Sequence, residues 1–149
     1  GHPSMRTFQD SAGRTWTIAV NVDAVKRVKA LLGEDMLDIE HFFPRLLADP
    51  ILLCDTLFAI LKPQAEAQNV TDIDFARAMA GDAIAHARKT LVEDYVDFFP
   101  DASQRELLRE ALARYGELTL QMKELAKARL KRASLPPEIE KAFGEPSTA

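Results

Sequence analysis

The chain has 149 residues, a net charge of −4, and 47% hydrophobic against 28% charged content. These are ordinary globular values, and they exclude a largely disordered chain. At this length roughly two-thirds of the unfolded surface is buried on folding, so a core forms without metal or disulfide staples. Cys54 is the only cysteine, which excludes an intramolecular disulfide and fits a reducing, cytoplasmic setting. The most apolar stretch, Ile51 to Leu61, is interrupted by Asp55 and is far shorter than the ~20 residues of a membrane span.

Gly1-His2-Pro3-Ser4 has the composition of a cleaved expression-tag remnant and is set aside, leaving one expected helical domain over 5–143. The polar segment after Met5, with Arg6, Asp10 and Arg14, is unlike a signal peptide. Arg6–Gln9 and Arg14–Val20 flank Asp10-Ser11-Ala12-Gly13, which supplies turn geometry. Trp16, Ile18 and Val20 alternate with Thr15, Thr17 and Ala19, so the segment predicts a hairpin with one packed face. Alone such a hairpin is marginal, and it must lie on helices or pair with another chain.

Asn21 as a cap, the stripe Val25, Val28, Leu31 and Leu32, and Gly33 as a stop predict a first helix over 22–32. Met36 to Ala48 is rich in large apolar residues, and Pro44 predicts a helix broken or kinked near Phe43. Asp49-Pro50 restarts the chain as cap and first turn. Helix three, 50–61, is apolar on most sides, which predicts the central buried helix, ended by Pro63 and followed by a polar connection over 64–70.

Thr71-Asp72-Ile73-Asp74 resembles a capping box and predicts a long helix over 72–99. Its stripe is Ile73, Ala76, Ala80, Ala83, Ala87, Leu91, Tyr95 and Phe98, with Gly81 tolerated for close packing. After Pro100, Asp101 or Ser103 starts a last long helix reaching Ala133. Leu108, Ala111, Tyr115, Leu118, Met122 and Leu125 alternate spacings of three and four, a heptad pattern that Leu107, Leu112 and Leu120 are expected to widen. A short helix over 138–143 and a disordered tail over 144–149 complete a mostly α fold: a bundle of about five helices with an N-terminal hairpin.

Catalytic signatures do not emerge. The six glycines are scattered singly, with no phosphate-binding loop and no nucleophile elbow. Cys54 lies in the most apolar segment, where a thiol is ordinarily inert core. Asp82, His86, Glu93 and Asp97 follow helical spacing and form a conceivable metal site, but Lys89 shares the face, and a solvated polar stripe is the preferred reading. His41 beside Glu40 is expected at the surface. No cofactor or metal is assigned.

The ring pairs Phe42-Phe43 and Phe98-Phe99 each precede a proline, which favours core packing with an interface as the alternative. Lys123 to Arg132 carries a local +4, so the remainder carries −8. This basic end complements the helix terminus, or docks on an acidic partner or a second copy. Nucleic acid ranks below both, because no aromatic residues are interleaved there. Candidate protein-binding residues are Trp16, Phe42, Phe43, Phe99, Tyr115, Leu118, Met122 and Leu125.

Three stretches together carry a family resemblance: 8–18 (FQDSAGRTWTI), 25–29 (VKRVK) and 75–84 (FARAMAGDAI). In them the chain resembles small proteins encoded among the tail genes of tailed bacteriophages and prophages, with tail assembly chaperone as the nearest functional label. The resemblance spans most of residues 6–100. It implies a self-associating helical protein that coats a tape-measure protein before the tail tube polymerises, binding hydrophobic helical segments in the host cytoplasm. The expectation is therefore a non-enzymatic assembly factor with a protein partner, homo-oligomeric and free of membrane. A phage or prophage regulatory module that binds and blocks a host protein is the alternative. A metal-dependent protein using Asp82, His86 and Glu93 ranks last.

Overall fold

The computed structural model describes residues 6–133. The tag remnant, the helix expected over 138–143 and the tail over 144–149 lie outside the described residues. The element order is β1 (Arg6–Gln9), β2 (Thr15–Ile18), α1 (Val22–Leu32), α2 (Ile39–Ala48), α3 (Pro50–Ala67), α4 (Asp72–Arg77), α5 (Asp82–Phe98) and α6 (Ala102–Arg132). The fold is thus mostly helical with an N-terminal hairpin, six helices being described rather than about five. The chain divides into two compact units, 1–112 and 113–149, and α6 runs from the first into the second.

β1 and β2 pair antiparallel with Phe8 opposite Trp16 and Thr7 opposite Thr17. The turn is organised by Asp10, whose side chain is almost fully buried. Its Oδ1 accepts from the backbone N–H of Ala12 and Arg14, both at 2.9 Å, and its Oδ2 accepts from Trp16 Nε1 at 2.9 Å and Arg14 Nη1 at 3.3 Å. Trp16 is fully buried and meets Phe75 edge-on, with centroids 5.4 Å apart. α1 follows with its predicted limits: Asn21 caps Ala24 N, and Gly33 closes it at a left-handed φ of 71°. Leu31 leaves the expected stripe and is exposed.

Neither internal proline ends its helix. α2 runs through Pro44, and α3 runs through Pro63 to Ala67. Each ring removes one amide donor and crowds the carbonyl four residues back. In both helices an arginine donates to the next carbonyl along: Arg45 Nε to His41 O at 3.0 Å, and Arg27 Nη1 to Ile60 O at 3.2 Å. Burial holds the rest, with Phe42, Phe43, Leu46 and Leu47 in the core along α2 and Leu61 and Ala65 along α3. The polar connection expected over 64–70 is therefore largely helix.

The single helix expected over 72–99 is two. The capping box at Thr71 and Asp74 forms, but α4 stops at Arg77. Gly81 takes φ 60° and ψ −131°, a conformation open in practice to glycine alone, so a continuous helix cannot pass through it. Ile73, Ala76 and Ala80 are exposed, and the buried stripe begins at Ala83 and continues through Ala87, Leu91 and Tyr95. α3 sits at the centre, against α1, α2, α4, α5 and β2. Beside it Tyr95 stacks on Phe43 at 5.6 Å, meets Phe99 edge-on at 5.2 Å, and donates its hydroxyl to Met36 O at 2.5 Å. Burial above all, with Asp35 and Asp38, pushes the Tyr95 phenol up, so it stays a donor at all physiological pH.

Burial alone would raise the Asp10 carboxyl, but its bonds from Trp16 and Arg14 outweigh that and hold it below the ordinary value of 3.8. Its stabilising contribution is complete above that value and is lost as pH falls through the lowered one. In Asp10→Asn an amide N–H₂ would face the indole N–H if it took the Oδ2 position, costing about 1–3 kcal/mol. Thermal melts of wild type and variant across pH 2–7 are expected to differ most above about pH 4 and to converge in acid.

Candidate protein-binding surface

The structure divides the eight candidate residues into two groups. Trp16, Phe42, Phe43 and Phe99 are each 5% exposed or less. They build the core of the first unit, so an interface role for them is corrected: their rings are spent on one another, on Tyr95 and on Phe75. Phe98 is half-buried against Phe99. The sequence could not separate the groups, because a buried ring and a docking ring have the same composition and spacing.

The other four lie in the second unit on α6. Tyr115 is half-exposed, and Leu118, Met122 and Leu125 are 49%, 68% and 58% exposed. At about 100° per residue these four fall within roughly 80° of one another around the helix. Arg129 falls inside the same sector, and Arg114 and Arg132 lie roughly 20° beyond its edge. Glu117 and Glu124, the acidic residues of this stretch, project from roughly the opposite side. Leu120 also stands on that far side, 60% exposed, and does not widen the stripe as expected. The one ion pair described on this stretch, Lys127 to Glu124 at 3.8 Å, is exposed and contributes little. The result is a narrow apolar seam bordered by guanidinium groups.

Among the described residues, no group of three or more His, Cys, Asp or Glu side chains is placed to hold a metal. Glu93, Asp94 and Asp97 of α5 have another task. Arg6 Nη1 donates to Asp94 Oδ1 at 2.8 Å, Nη2 to Asp97 Oδ2 at 2.5 Å, and Nε lies 3.9 Å from Glu93 Oε2. Asp94 Oδ2 also accepts from Val20 N at 2.6 Å. Arg6 was not assigned to this face from sequence, since nothing local ties it to residues some ninety positions away.

Grooves open on the first unit among the described residues. One, of about 570 Å³, lies between α1, α3 and α4 and is lined by Leu31, Cys54, Phe58 and Ile73 among others. Cys54 is half-buried there rather than sealed in the core. Burial first, and Asp55 second, push its thiol up, which leaves little thiolate to react at neutral pH. Another groove, of about 440 Å³, runs between β1 and α5 along Arg6–Gln9, His86, Lys89, Thr90 and Glu93.

Compared with known proteins, the chain matches no family model, no curated protein and no solved structure. The seam on α6 therefore stands on its geometry. Because Leu118 and Met122 contribute to no core, the double variant Leu118→Asp/Met122→Asp is expected to melt within about 0.5 kcal/mol of wild type, whereas Phe43→Ala is expected to cost about 3–5 kcal/mol. Denaturant unfolding followed by circular dichroism checks both.

Proposed function

We propose that the chain is a non-enzymatic protein-binding factor whose contact surface is the seam of Tyr115, Leu118, Met122 and Leu125 on α6. One observation carries the proposal: large apolar side chains at heptad spacing stand exposed together in one sector of α6, with arginines in and beside that sector. A row of this kind is the half-site of a helix-to-helix contact, since a second amphipathic helix buries it by knobs-into-holes packing. The bordering arginines give the contact direction and register, because guanidinium forks select carboxylates at matched positions. With the resemblance of 8–18, 25–29 and 75–84 to tail-gene proteins, the partner becomes a helical segment of a phage tape-measure protein and the role that of a tail assembly chaperone.

Co-expression with tape-measure fragments, followed by calorimetry on the purified pair, tests the proposal. Binding is expected to show a negative heat-capacity change from apolar burial. Leu118→Asp or Met122→Asp is expected to weaken it roughly thirtyfold or more, with the fold intact. A folded wild-type chain that binds no such fragment rejects the tape-measure role. Binding that survives both substitutions rejects the seam.

A further inference from the structure

The two edges of the hairpin are not equivalent. On β2 the Gln64 side chain closes the edge: Thr17 N donates to Gln64 Oε1 at 3.1 Å, and Gln64 Nε2 donates to Thr17 O at 2.7 Å. Both main-chain groups of Thr17 thus point away from β1. Thr7, directly opposite Thr17, is then the non-hydrogen-bonded member of an antiparallel pair, and its own N–H and C=O point outward from β1. Two residues on, the same alternation turns the N–H and C=O of Gln9 outward. Among the described residues these groups have no hydrogen-bond partner, and Thr7 and Gln9 are exposed. The usual guard of an edge strand, an outward charge or a proline, is missing, because Arg6 turns its guanidinium inward to Asp94 and Asp97.

We infer that the outer edge of β1 pairs with the same edge of a second copy, antiparallel about a twofold axis at Phe8, to give one four-stranded sheet. Thr7 of one copy then exchanges both main-chain hydrogen bonds with Gln9 of the other. Charge supports this occupant. Arg6 bonds Asp94 and Asp97, and the groove between β1 and α5 is lined by Arg6–Gln9 together with His86, Lys89, Thr90 and Glu93. Lys89 and Glu93 thus stand one helical turn apart on α5 beside β1. A twofold axis there sets Lys89 of each copy against Glu93 of the other, a self-complementary arrangement. Lys89 makes no ion pair among the described residues, and the half-exposed Glu93 side chain is held only by a long contact, 3.9 Å from Arg6 Nε. The pairing also relieves the hairpin, since two strands alone form a marginal sheet. This surface is distinct from the α6 seam and does not depend on it.

Analytical ultracentrifugation of the whole chain from micromolar to submillimolar concentration tests the inference. The wild type is expected to shift from the 16.6 kDa monomer to twice that mass. Thr7→Pro removes the outward N–H without touching a bond to β2, and it is expected to weaken the dimer roughly tenfold or more while the circular-dichroism melt stays close to wild type. Lys89→Glu and Glu93→Lys are each expected to weaken the dimer, and the two together to restore it. The charge-swap rescue decides the matter even if Thr7→Pro fails to fold. A monomer at every concentration overturns the inference. So does a dimer indifferent to Thr7→Pro and to the charge swaps, or one abolished by Leu118→Asp instead.

Discussion

A two-stranded hairpin has too little surface of its own to stay folded, and the first unit is arranged around fastening one. Asp94 is the central fastening. One carboxylate oxygen takes the guanidinium of Arg6 at the start of β1, and the other takes the N–H of Val20 just beyond β2, so a single residue of α5 grips both strands at the open end of the ribbon. These are charge-assisted bonds in a partly buried place, where each is stronger than a neutral one. Gln64 performs the matching task on the far side by bonding the main chain of Thr17 from α3. With the ribbon held at its open end and along the β2 edge, its buried face can deliver Phe8, Trp16 and Ile18 into the helical core.

This fastening explains why α3 continues past Pro63. The sequence reads as a helix stop there, because proline removes a donor and crowds the preceding turn. The stop is overridden by what lies beyond it: Gln64 must face Thr17, and Ala65 packs fully buried. Arg27, from a helix more than thirty residues earlier, supplies a donor to the Ile60 carbonyl. A local signal thus lost to partners that no window of sequence contains. Gly81 shows the opposite failure. A tolerated interior glycine and a glycine that breaks the helix look alike in sequence, and only the backbone angles distinguish them.

Elements whose signals are local were legible with near-final limits. The hairpin rests on alternation about a turn, α1 on a cap and a glycine stop, and α6 on its period after the Pro100 break with Asp101 or Ser103 as start. The binding candidates were legible in part. Period placed Tyr115, Leu118, Met122 and Leu125 on one side of α6, but it could not say which aromatic residues elsewhere were already spoken for. Trp16 is the clearest case. In the structure its N–H belongs to Asp10 and its ring to Phe75, so both its polar and its apolar capacity are used inside the fold.

The same accounting applies to the polar groups of the first unit. Asp10, Asp94, Gln64 and the Tyr95 hydroxyl, the side chains with the strongest bonding capacity near the core, each serve the backbone or a neighbouring side chain. Each bond fixes a loop, a strand edge or a helix start. Among the described residues, two kinds of unused capacity stand out. One is apolar area, concentrated on α6 from Tyr115 to Leu125, and its natural complement is another amphipathic helix. The other is main-chain hydrogen bonding, concentrated at Thr7 and Gln9, and its natural complement is another extended strand. Side chains choose the first partner, whereas the second contact depends on the path of the backbone and is selected by the few charges that flank it. On the two proposals, a copy of the chain and a different helical protein would be joined through chemically independent contacts.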